Sequence, residues 1–80
     1  MTPDELHAAR ARLGAMWGLD RPLHAAEMGR VLRIPGRDPG AKVREYERGV
    51  RKIPGPLTAA VDMMLAGALP PDGLKALDPT

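Results

Sequence analysis

Apolar residues recur at helical spacing in four stretches of this chain, each bounded by proline, glycine or a capping residue. Leu6, Ala9 and Leu13 follow Thr2, Pro3 and the acids Asp4 and Glu5. That order predicts a first helix capped by Thr2, opened by Pro3 and closed by Gly14. Residues 15–21 carry no period and read as a longer connection, with Trp17 and Leu19 packed as a satellite of the core. Pro22 is then expected to open a second helix whose inward stripe is Met28, Val31 and Leu32. Gly29 weakens that helix, and close packing of the following helix accounts for it.

Ile34 and Asp38 each precede a proline, which disfavours helical geometry at both. Asp38 is the expected N-cap of a third helix, with Pro39 as its first residue and Arg48 as its last. At about 100° per residue, Val43 and Tyr46 point inward while Ala41, Arg44, Glu45 and Arg48 point outward. Gly49 suits its C-terminal cap. Leu57, Ala60, Val61, Met64, Leu65 and Ala68 give the clearest period in the chain, a fourth helix starting at Pro56 and stopped by Pro70 and Pro71. Leu74 and Leu77 allow one short turn that covers this helix or meets a second subunit. The pattern predicts an all-α fold, a small bundle of four to five helices.

Charge is distributed unevenly over these elements. Eight of the twelve Lys and Arg lie between Arg30 and Lys52, giving that segment a net +5 and the remainder −3. A neutral or acidic body with one basic segment fits a polyanion-binding face, and composition alone fits arginines scattered over solvated helices equally well. Ala41 beside the charges, with Gly40 before it, would let the third helix approach a groove closely. Two helices joined by a Pro/Gly-rich turn, the second basic on its outer side, form an apparatus for reading DNA. The chain contains no cysteine, no metal-ligand spacing and only two histidines, so an enzyme is not expected. Nor is a cofactor, metal or small-molecule ligand. No apolar run approaches the roughly 18 residues a membrane span needs, and the acidic start is unlike a signal peptide, so a cytoplasmic protein is expected.

Specific motifs sharpen the picture. Arg10 stands three residues before Leu13-Gly14; Met28-Gly29-Arg30-Val31-Leu32-Arg33-Ile34-Pro35 follows, then Val43-Arg44-Glu45-Tyr46-Glu47-Arg48-Gly49, then the basic loop Val50-Arg51-Lys52-Ile53-Pro54. In this order, over roughly residues 3–69, the chain resembles the helix-turn-helix domains of phage repressors, Cro proteins and the related xenobiotic-response-element regulators of bacteria. It departs from their pattern by the extra segments AMWGLDRP and GRDPG.

The resemblance implies a lambda-repressor-like architecture in which residues 1–69 form the DNA-binding domain and residues 70–80 a short extension placed to stabilise a dimer. It further implies a structural ion pair of Arg10 with Glu47. The third helix would enter the major groove of double-stranded DNA with Arg37, Ala41, Lys42, Arg44, Glu45 and Arg48 facing the bases. Arg21 and His24, near the second helix start, and Arg51 and Lys52 would hold phosphates. A homodimer on an operator is expected, with Met63, Leu69, Leu74 and Leu77 at its interface, acting as a repressor in a prophage, toxin–antitoxin or anti-CRISPR type operon. The competing reading is a protein-binding module such as an antitoxin.

Overall fold

A computed structural model describes residues 1–77. Among them the chain forms an all-helical bundle: α1 (Pro3–Met16), α2 (Ala25–Val31), α3 (Pro39–Glu47), α4 (Gly55–Leu65) and a short 3-10 turn (Gly73–Leu77). The core takes two or three side chains from each α-helix. Leu6, Leu13, Leu23, Met28, Val31, Val43 and Val61 are sealed from solvent, with Tyr46, Ile53 and Met64 closing the edges. Trp17 and Leu19 pack beside this cluster.

Thr2 and Glu5 begin α1 with a reciprocal capping box: the Glu5 amide donates to Thr2 Oγ1 (3.1 Å) and the Thr2 amide to Glu5 Oε1 (2.8 Å). Gly14 does not end this helix, which runs on to Met16. Its small size serves a different purpose, because a Cβ there would lie 2.0 Å from the Arg21 carbonyl oxygen. Glycine lets the returning chain lie directly on the helix. Pro22 likewise does not start α2. Leu23 is pinned in a non-helical connection by two bonds to α1, its amide to the Arg10 carbonyl (3.0 Å) and its carbonyl to the Arg10 guanidinium (2.8 Å). The helix therefore begins after His24, whose amide donates to the Glu27 carboxylate (2.7 Å).

All four α-helices end in the same way. The first residue beyond the cap takes a left-handed conformation, and two amides turn back onto the last carbonyls, the Schellman arrangement. Gly18, Gly49 and Gly67 occupy three of these positions, so α4 is stopped by Gly67 before Pro70 and Pro71 are reached. The fourth is Arg33, with φ of 55°. Its amide bonds the Arg30 carbonyl and the Ile34 amide bonds the Gly29 carbonyl, while its guanidinium grips both Asp72 oxygens (2.7 and 3.1 Å). This grip ties the C-terminal segment to the end of α2. The 3-10 turn accordingly covers α2 rather than α4, and Leu77 packs against the core.

The closest helix contact is between α2 and α3. A Cβ at Gly29 would stand 2.6 Å from the Pro39 carbonyl group, and one at Gly40 would stand 2.7 Å from the Ala26 nitrogen. Each helix thus offers its partner a glycine, and the two backbones touch. Gly55, by contrast, has nothing within 4 Å of its Cβ position. Gly29→Ala and Gly40→Ala are each expected to lower stability by about 2 kcal/mol in urea unfolding, the overpacking cost exceeding alanine's gain of about 1 kcal/mol in helix propensity. Gly55→Ala should be neutral or slightly stabilising in the same assay.

Candidate nucleic-acid interface

The glycine contact fixes the rotation of α3 about its axis. With Gly40, Val43 and Tyr46 buried, Arg44 and Arg48 are exposed and Ala41, Lys42 and Glu45 are partly exposed. The small residue Gly40 therefore serves the packing of α2, not the approach of a groove. Arg37 is exposed in the connection before the helix. Beyond it, Gly49 reverses the chain at φ of 74°, Arg51 and Lys52 are exposed, and Ile53 anchors the loop back to the core. Six exposed or partly exposed cations thus lie on α3 and in the connections that flank it.

Two of the six have acidic partners. Asp38 is the N-cap residue, yet its side chain makes no capping bond and instead accepts from the Arg44 guanidinium (2.9 Å). Glu45 accepts from Arg51 Nε. Arg37, Lys42, Arg48 and Lys52 have no ion-pair partner among the described residues.

Behind α3, Arg10 and Glu47 meet with side chains only 16% and 11% exposed. Arg10 Nη2 donates to Glu47 Oε1 (2.8 Å), and Nε faces Oε2 at 2.7 Å, in ionic contact but off the line of a hydrogen bond. His7 Nδ1 also reaches Glu47 Oε1 (2.8 Å). This cluster joins α1 to the end of α3, and through the Arg10 bond to Leu23 it holds the connection into α2 as well.

Arg21 is not placed to hold a phosphate. Its guanidinium forks onto both oxygens of buried Glu27 (2.7 and 3.0 Å). These bonds, with help from the His24 amide, hold the Glu27 carboxyl down to about 2 against the opposing effect of burial. Arg21 is engaged by Glu27 although 40% of its side chain is exposed, and His24 is exposed at the start of α2. Sequence reasoning missed the Arg21–Glu27 pair, His7 and Asp72. The third-residue position of Glu27 signals its bond to the His24 amide, but nothing local signals its pairing with Arg21.

Of the residues expected at a dimer interface, Met63 (62%), Leu69 (64%) and Leu74 (43%) are exposed. Met63 and Leu69 flank a shallow groove lined by Val31, Leu32, Met64 and Pro70. Leu77 is committed to its own core and is not available to a partner in the same way. Among the described residues no three of His, Cys, Asp and Glu gather into a metal site, and no helix is long and apolar enough to cross a membrane. In comparisons with known proteins, no family model, curated protein or solved structure matches this chain.

Glu27 gives a pH dependence of definite sign. Its folded pKa lies below its ordinary value of 4.5, so its contribution to stability is complete above pH 4.5 and disappears as pH falls toward about 2. Glu5 and Asp72, lowered by bonds from Thr2 and Arg33, make the native curve fall for other reasons too. The difference between the native chain and Glu27→Gln isolates one of them. Chemical unfolding at stepped pH should find the native chain more stable at pH 7 and the gap closing between pH 4.5 and 2.

Proposed function

We propose that this protein is a sequence-specific regulator that binds double-stranded DNA through α3, in the manner of the phage repressor and Cro-like helix-turn-helix proteins that its motifs resemble. The observation that carries the reading is the division of α3. One side is locked into the bundle by Gly40, Val43 and Tyr46, and the other holds Arg44 and Arg48 in solvent beside Arg37, Lys42, Arg51 and Lys52. A rigid helix with a cationic outer side can meet base edges in a major groove, while loop cations beside it bind flanking phosphates.

In this reading Lys42, Arg44, Glu45 and Arg48 face the bases, with Ala41 in contact with a thymine methyl, and Arg37, Arg51 and Lys52 set register on the backbone. One short helix reads too few base pairs to find a site in a genome, so two copies act on a repeated or palindromic operator. The exposed Met63, Leu69 and Leu74 supply the contact between copies. In this reading the bound protein occludes a promoter and so represses its own or neighbouring genes.

Fluorescence anisotropy with duplexes from the region upstream of the gene tests this. With about six phosphate contacts, affinity should fall roughly a thousandfold between 50 and 200 mM salt. The double variant Arg44→Ala/Arg48→Ala should lose site preference while remaining folded. A flat salt response, or capture of one protein partner without any duplex binding, would instead favour the antitoxin-like module.

A further inference from the structure

The cationic side of α3 carries its own counter-ions, and their placement is unusual. Asp38 occupies a position where a carboxylate ordinarily accepts the amides of the first helical turn. Here it gives up that role and bonds the Arg44 guanidinium, six residues along, at 2.9 Å. Glu45 lies among the outward residues themselves and bonds Arg51 in the following loop. Asp38, Arg44 and Arg51 are exposed and Glu45 is partly exposed, so neither pair is needed to neutralise a buried charge. Both pairs lie on the surface assigned above to the duplex, and the proposal rests on that assignment.

We propose that Asp38 and Glu45 are specificity-determining residues that act by occupying Arg44 and Arg51 when no correct site is present. A stretch of arbitrary DNA offers phosphates alone. To bind them, Arg44 and Arg51 must leave their carboxylates, and each carboxylate is then held close to a second anion. A correct site returns something for this exchange: Arg44 gains guanine acceptors, and Glu45 accepts from a cytosine amino group. The acids therefore weaken binding to arbitrary sequence more than binding to the target, and the ratio of the two is what decides occupancy in a genome. Asp38 acts through Arg44 and is a positioning residue, whereas Glu45 itself faces the bases.

The test uses the full chain and a labelled 30-base-pair duplex of arbitrary sequence, titrated between 50 and 200 mM sodium chloride. Asp38→Asn and Glu45→Gln should each tighten binding several-fold at the lower salt. Each should also steepen the slope of log affinity against log salt by about one, the mark of one more phosphate engaged. Asp38→Ser, a second uncharged capping residue, should behave as Asp38→Asn does. In an Arg44→Gln background the gain from Asp38→Asn should vanish, which a merely structural role for Asp38 would not produce. If the native chain binds with steep salt dependence but the folded variants match it in affinity and slope, the role of the acids is overturned and the duplex reading stands. If neither the native chain nor any variant binds at 50 mM, the duplex reading falls and takes this inference with it.

Discussion

The side that α3 turns to solvent is set by the contact of two backbones at Gly29 and Gly40. Helices whose side chains interlock ordinarily keep their axes about 8–10 Å apart. At this crossing each helix presents a glycine, and the Pro39 carbonyl and the Ala26 nitrogen lie within 2.6 and 2.7 Å of where the Cβ atoms would be. Gly40 facing inward leaves only one rotation of α3. Val43 and Tyr46 follow it into the bundle, and Arg44 and Arg48 are turned out. The cationic surface is thus a consequence of where the glycines lie as much as of where the arginines lie.

A chain of 80 residues without cysteine buries a modest core, and polar ties between segments distant in sequence supplement it here. Arg10 is the busiest of them, joined to Glu47 at the end of α3 and to both backbone groups of Leu23. Buried pairs of this kind are weak evidence for net stability but strongly destabilising to break, so they favour one arrangement of the helices over others. Arg21 with Glu27 fixes the entry to α2, and Arg33 with Asp72 fixes its exit. Arg33 is notable because the three other helix ends use glycine at the same left-handed position. A glycine there would relieve the backbone but leave Asp72 without its partner.

Much of this could be read before the structure, where one residue type had one physical meaning. Proline at the start of α1 and α3, the cap at Gly49 and the period of α4 as far as Leu65 belong to that class, as does the close packing at Gly29, whereas Ala68, counted in that period, is exposed beyond the end of the helix. Reading failed where a residue had two meanings. Gly14 read as a terminator and is a contact point; Gly40 read as a groove-facing residue and is also a contact point. Pro70 and Pro71 read as the stop for α4, whereas Gly67 had already reversed the chain. The candidate surface divides the same way. Exposure of Arg44, Arg48, Arg51 and Lys52 follows from helical phase and loop composition, but Arg21 could not be told from a phosphate ligand until the fold brought it to Glu27. Arg33 and Asp72 are 39 residues apart, and no local pattern links them.

We propose that the outer side of α3 and the loop after it form the surface that meets a duplex. Titration of the ¹⁵N-labelled chain with a short duplex, followed by amide chemical shifts, tests it residue by residue. The largest changes are expected within residues 37–52, at Arg37, Lys42, Arg44, Arg48 and Lys52, with Val43 and Tyr46 moving less. Changes confined to Met63, Leu69 and the groove beside them, with residues 37–52 still, would contradict it.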